Sequence, residues 1–276
     1  MSSDQTRPKY IHERMGGQCE ASDIARYVLV PGSENRVERF ASYWDQPRKV
    51  AHHYEFLVYS GQLNGVPISA CSTGCGGRSV SIAVDEMANL GADTFIRVGV
   101  TGGIQPDIEI GDLIIASAAV RMDKTSEHYV FVEYPALAHF EAVSALIAAA
   151  EELGHPYHVG IGATASSFYA GEGISGYGGY RHSGMDHIES DLRAAGVLDW
   201  DTETATLFTI SSLYGLRSGR VNAVVDDPET GAYNPVGEER AIEVGLLAIE
   251  IMAEWDRDKV TTGASYAVPP VVKEGS

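Results

Sequence analysis

Lysine is almost missing from this chain. Lys9, Lys49, Lys124, Lys259 and Lys273 stand against 38 acidic residues, and the formal charge is −18 over 276 residues. Such a surface repels nucleic-acid phosphates and anionic lipid headgroups, so neither is an expected partner. Cysteine is scarce too. Cys19, Cys71 and Cys75 make an odd set with no spacing that suits zinc, and no metal site is expected. They read as small reduced residues rather than a redox pair. No apolar run approaches the roughly 18–20 residues of a bilayer span. The stretch from Met1 to Lys9 lacks the apolar core of a signal peptide, so the expected location is the cytoplasm. The glycine-rich turn Ser72–Gly77, between a strand and a helix, has neither a Gly-x-Gly-x-x-Gly nor a Gly-Lys-Ser/Thr pattern, which argues against a dinucleotide fold and a P-loop.

What is present is an apolar fraction of 44% and 30 glycines, several of them where strands should end. The length suits one large α/β domain. Arg26-Tyr-Val-Leu-Val-Pro-Gly32 reads as a strand with a Pro-Gly break, and Ser33 as the N-cap of a helix carrying Arg36. Backbone N–H groups and a helix dipole at such a turn favour an anion. Glu55–Tyr59 and Val66–Cys71 read as strands around an Asn64-Gly65 hairpin turn. Ser72-Thr-Gly-Cys-Gly-Gly77 then leads into a helix with Val80, Ala83, Val84, Met87 and Leu90 on one face.

The centre of the chain is Phe95 to Asp112. A short apolar strand contains Arg97 and ends at Thr101-Gly102-Gly103. A guanidinium in a strand core is costly without an anion or carboxylate beside it. A structural ion pair and a bound anion are both open readings. A second strand pattern follows from Asp112 to Arg121, then a helix over Ala136–Leu153 and a strand over Tyr157–Ala165. Phe168 to Gly184 holds six glycines and reads as a mobile loop over a site. A helix begins after Asp201-Thr-Glu203, a last strand runs Arg217–Val225, and a final helix spans 238–255. The expected organisation is an N-terminal arm over 1–25, one catalytic domain over 26–257 and a flexible tail over 258–276.

Four segments occur in order: Val30-Pro-Gly-Ser-Glu-Asn-Arg36, Cys71-Ser-Thr-Gly-Cys-Gly-Gly77, Phe95-Ile-Arg-Val-Gly-Val-Thr-Gly-Gly-Ile-Gln-Pro106 and Glu203-Thr-Ala-Thr-Leu207. Together they resemble the nucleoside phosphorylases, most of all the bacterial uridine phosphorylases. The resemblance implies a single-domain α/β three-layer sandwich with a central mixed, twisted sheet. It also implies a homo-oligomer built from dimers, either a dimer or a hexamer. The implied reaction takes a nucleoside and phosphate to free base and ribose 1-phosphate, with no cofactor beyond phosphate as co-substrate. Phosphate would be held by Gly32, Arg36, Arg97 and Thr101. Glu203 and Thr202 would meet the ribose hydroxyls, and His12 the 5′-hydroxyl of a neighbouring subunit's substrate. The base would lie against Phe168, Glu172, Gly102 and Asp226. Arg97, Glu203 and Asp226 are the expected catalytic residues.

Three features depart from the family pattern. Tyr54 stands where the family places a phosphate arginine from the neighbouring subunit, and Val100 where it places a phosphate-binding hydroxyl. Glu172 and Ile174 stand where uridine phosphorylases read uracil with Gln and Arg. An ionised Glu172 accepts only, which suits the N1 and N2 edge of guanine. Asp226, in Val224-Val225-Asp226, matches the place where purine nucleoside phosphorylases carry the acid that protonates N7. A simple turn opened by Asp226 and Asp227 is the other reading. The pocket therefore suggests guanosine or inosine on a uridine phosphorylase frame. The alternatives are a hydrolytic nucleosidase and a weakly active nucleoside-binding homologue.

Overall fold

The structure, a computed structural model, describes residues 19–227 and 232–267. Among the described residues, one 11-stranded mixed sheet forms the centre. Its strands are β1 (Tyr27–Leu29), β2 (Asp45–His53), β3 (Phe56–Leu63), β4 (Val66–Cys71), β5 (Thr94–Gly102), β6 (Leu113–Met122), β7 (Ala136–Leu137), β8 (Tyr157–Ala165), β9 (Trp200–Asp201), β10 (Arg217–Asp227) and β11 (Ala232–Tyr233). The order across the sheet is β2-β3-β4-β1-β5-β10-β6-β8-β9. β4, β1, β5 and β10 run parallel, so their carboxyl ends share one edge. β6 reverses against β10, and β8 and β9 follow β6.

The helices are α1 (Glu34–Ala41), α2 (Gly77–Asn89), α3 (Thr125–Tyr129), α4 (Phe140–Leu153), α5 (Phe168–Gly171), α6 (Ile188–Ala194), α7 (Thr204–Leu213) and α8 (Glu238–Thr262). Strand alternation sorts them into layers. Leu29, Ile96, Val98 and Val221 pack with α1, α4 and α8 on one face, while Val28, Val30 and Phe95 pack with α2 and α7 on the other. Each such fully buried side chain contributes about 1.5–3 kcal/mol of hydrophobic stabilisation. Arg97 falls in phase with Phe95, so its side chain faces the α7 layer. The sheet also curls. Gly103 bridges Asp199, and the Ile104 N–H donates to the Leu198 carbonyl at 2.8 Å, which brings the β9 turn over the end of β5.

The Asn64-Gly65 hairpin forms as expected, with φ of 48° and 81° at the two turn residues. β2 has no counterpart in the sequence reading. It is an edge strand of Asp-Gln-Pro-Arg-Lys-Val-Ala-His-His, mostly exposed, with the proline and charges that blunt an edge and hide its period. The helix expected from Ala136 starts at Phe140, because Ala136 and Leu137 pair with β6 and the His139 ring caps the helix. Ser33 sits at the N-cap of α1 without a side-chain capping bond. α8 runs to Thr262 and stops at Gly263, where φ is 73°. The start of the expected tail is therefore helical, and the Ala267 N–H donates to Glu141 Oε1 at 2.7 Å. No helix among the described residues is long and apolar enough to cross a membrane.

Candidate active site

The shared edge of β1, β5 and β10 opens into a cleft of about 520 Å³, roofed by α5 and crossed by the β9–α7 turn. Gly32, Arg36, Arg97, Thr101, Gly102, Phe168, Glu172, Thr202, Glu203 and Asp226 all line it. His12 lies outside the described residues.

At one end, Gly32 approaches the backbone of Gly74. A Cβ on Gly32 would stand 3.1 Å from the Gly74 carbonyl oxygen. Arg36 is 8% exposed and donates to the Val98 carbonyl at 3.3 Å, with Glu238 3.7 Å from its other nitrogen. Burial pulls the Arg36 guanidinium below its ordinary value, and Arg97 close by adds to the effect despite Glu238. Arg97 donates to the Glu203 carboxylate through Nη2 and to the Val30 carbonyl at 3.4 Å through Nη1. Its buried Nε has no hydrogen-bond partner among the described residues, with Asp201 Oδ2 3.9 Å away. Two buried guanidiniums, one under-bonded, make a place where an anion gains charge-assisted bonds of about 1.5–3 kcal/mol each.

Glu203 is fixed from three sides. Its Oε1 accepts from the Gly76 N–H and the Thr202 hydroxyl, both at 2.6 Å, and its Oε2 from Arg97. Behind it, Asp201 accepts from the Thr204 N–H at 3.1 Å and the Thr164 hydroxyl at 2.7 Å, which sets the start of α7. Arg220 is fully buried, in register with Arg97, and lies 2.8 Å from Asp199 and 3.7 Å from Asp201. Gly162 leaves room for this pair, since a Cβ there would meet Asp199 Oδ1 at 2.6 Å. The sequence reading missed Asp199, Asp201 and Arg220. The signal was present, because Arg220 interrupts a strand just as Arg97 does.

At the other end the walls change. Phe168, Ile174 and Val100 are 55%, 41% and 36% exposed and give the cleft an apolar side. Asp226 follows a bulge in β10 and sits over Gly102, where a Cβ would stand 3.1 Å from its Oδ1. Burial pushes the Glu172 carboxyl up to about 8, and Asp201, Asp226 and Glu203 reinforce the shift. Glu189 and Tyr233 also line the cleft and had no sequence signal. The Thr101 hydroxyl donates to the Trp200 carbonyl, so it must release that bond before it can donate to an anion. Tyr54 is 69% exposed and lies away from the cleft lining. The loop over the cleft is tied down by Arg181, which bonds the Gly173 and Met185 carbonyls and Asp186. Cys19 and Cys71 are buried, and Cys75 lines the cleft. No group of three or more His, Cys, Asp or Glu among the described residues is arranged to hold a metal ion.

Residues 26–254 match the model of the phosphorylase superfamily. A uridine phosphorylase of Thermococcus kodakarensis is 51% identical over 245 residues, covering 89% of this chain and 88% of that protein. The Escherichia coli uridine phosphorylase is 42% identical over 204 residues, 73% of this chain and 80% of that protein. A guanosine phosphorylase of Halorubrum lacusprofundi is 33% identical over 205 residues, 74% of this chain and 80% of that protein. The strand-end cleft and these relationships agree, and the chain belongs to the phosphorylase superfamily as one of its nucleoside phosphorylases, a pentosyltransferase.

Proposed function

We propose that this chain catalyses the reversible phosphorolysis of uridine to uracil and ribose 1-phosphate. The observation that carries the reading is the position of Arg97. One nitrogen holds the Glu203 carboxylate, while the buried Nε lacks a hydrogen-bond partner among the described residues. Phosphate bound by Arg36, Arg97 and the Gly32 backbone would then sit beside a ribose whose hydroxyls donate to Glu203.

As the C1′–N bond of the nucleoside breaks, its electron pair leaves with the base, which takes up a proton. A phosphate oxygen then forms the new bond to C1′. Positive charge develops on the sugar in between, and the phosphate and Glu203 are anions placed to stabilise it. This chemistry asks for positioned charge, and no cofactor beyond phosphate is proposed. His12 from a second copy would reach the 5′-hydroxyl, so we infer an oligomer in which subunits complete one another's sites. Guanosine is the second reading, favoured by Asp226 over Gly102 beside Glu172.

The test is release of base from uridine, guanosine and inosine, with and without phosphate. Phosphate-dependent release with uridine preferred at pH 7 is expected. Equal release without phosphate would replace the reading with a hydrolase, and a tenfold preference for guanosine at pH 7 would move it to the second substrate.

A further inference from the structure

Glu172 caps the C-terminus of α5 and forms part of the wall between the cleft and a second cavity of about 480 Å³ behind it. Acids face it from the cleft: Asp201 and Glu203 from the β9–α7 turn, and Asp226 from β10. On the other side the cations are already engaged. Arg181 bonds Asp186 at 2.8 Å and the Met185 carbonyl at 3.0 Å, and Arg193 of α6 bonds Glu189 at 2.8 Å. No ion pair or side-chain hydrogen bond is formed by Glu172 among the described residues. A carboxylate crowded by like charge and short of a counter-ion favours its neutral form.

A neutral carboxylic acid has a donor and an acceptor on the two atoms bound to one carbon, which is the pattern of a primary amide. The imide edge of uracil, a ring N–H flanked by carbonyls, is complementary to that pair. The ionised group offers two acceptors, complementary to guanine's adjacent N1–H and amino group. We propose that Glu172 reads uracil as a neutral acid, donating to a base carbonyl and accepting the ring N–H, and that its deprotonation turns selectivity from uridine toward guanosine. This rests on the phosphorolysis reading above. It makes one side chain answer for two substrates, with the proton as selector. The same wall explains how a uridine-reading pocket works without an amide at residue 172: the carboxyl supplies the amide's two functions while it keeps its proton.

The window follows from the direction of the shift. The carboxyl is raised to about 8, so the neutral form dominates at pH 7 and is lost as pH rises through that value. Roughly one-tenth of it remains one unit above. The experiment measures kcat/KM for uridine and guanosine at saturating phosphate from pH 6 to 9, for wild type and Glu172→Gln. Titration of phosphate and of the bases themselves affects both proteins alike, so the wild-type to variant ratio isolates Glu172. For uridine that ratio should fall about tenfold between pH 7 and 9, because glutamine keeps its donor. For guanosine it should rise.

A ratio that is flat with pH for both nucleosides overturns the proposal while leaving phosphorolysis intact. Absence of phosphate-dependent release from every nucleoside overturns the underlying reading, and the proposal with it. If the variant does not fold, wild type is given both nucleosides in one vessel. The guanosine-to-uridine product ratio should then rise by more than about tenfold from pH 7 to 9, and a constant ratio is the overturning result.

Discussion

The two strands at the centre of the sheet carry two arginine clusters three rungs apart, and the clusters differ in how fully they are bonded. Where β10 begins, Arg217 donates to Thr94 Oγ1 at 2.8 Å, Glu141 at 3.1 Å and Asp256 at 2.6 Å. Lys259 and the Tyr27 hydroxyl close the remaining carboxylate oxygens. Three rungs on, Arg97 has one carboxylate, one long carbonyl contact and an unbonded Nε. The ingredients are alike, but the first cluster is saturated and the second is not. Saturation marks a structural role. An under-bonded buried guanidinium next to another, Arg36, marks a place built for an anion from outside.

The sharpest way to break this contrast is to remove each arginine in turn. Arg97→Ala should lower kcat/KM for phosphorolysis by roughly 10²–10⁴, from two charge-assisted bonds at about 1.5–3 kcal/mol each. An unchanged rate with an intact melting curve would make Arg97 merely structural.

Arg217→Ala should do the reverse. Kinetics of the folded protein at 25 °C should be retained. The buried carboxylates left behind should cost about 3–5 kcal/mol, on the order of 10 °C in melting temperature. The same cluster sets an acid limit. Burial works to raise Asp256, but hydrogen bonds from Arg217, Lys259 and Tyr27 prevail and hold it well below the usual carboxylate range. Its contribution is therefore fully present well above the unfolded value of 3.8, declines as pH falls below it and is gone only below the far lower folded value. Melting curves from pH 6 down to 3 should be steeper in wild type than in Arg217→Ala. Parallel curves would remove Asp256 from the explanation.

A smaller effect is expected at the shared carboxylate. Glu203→Gln should cut kcat/KM for ribonucleosides by roughly 10–10², by weakening one charged acceptor worth about 1.5–3 kcal/mol. Wild type should also prefer ribonucleosides over 2′,3′-dideoxy analogues, and equal rates would detach Glu203 from the sugar. The smallest change sharpens the open cluster. Val100→Thr adds a hydroxyl to the cleft wall at nearly constant size, and should lower the phosphate KM about two- to tenfold, from roughly 0.5–1.5 kcal/mol for one hydrogen bond. A rise instead would place phosphate away from residue 100.

Much of the cleft end that gathers Gly32, Arg36, Arg97 and Glu203 was legible in the sequence. Glycine-rich turns and a strand arginine are local signals: Gly32, Arg36 and Glu203 sit at strand-to-helix turns that the chain announces, and Arg97 interrupts an apolar strand. The opposite end, around Phe168 and Glu172, was harder because its walls come from α5, α6 and β11, which have little periodicity of their own. Whether Glu172 is charged depends on its burial in the folded chain and on Asp201 and Asp226, 29 and 54 positions away, and no local pattern carries that. β2 escaped for a related reason, since an edge strand is shaped to avoid the alternation that identifies a strand. Arg220 was legible and was overlooked.

The bond from the Thr101 hydroxyl to the Trp200 carbonyl spans 99 positions of chain, and with the Gly103–Asp199 bridge it joins the two halves of the cleft. Its consequence lies in the order of events during folding. Hairpins and helices form from neighbours in sequence, whereas this closure must wait for a distant encounter and bear its loop entropy first. On refolding from denaturant, helical signal should therefore return before enzymatic competence, and the interval between them times the meeting of β5 with the β9 turn.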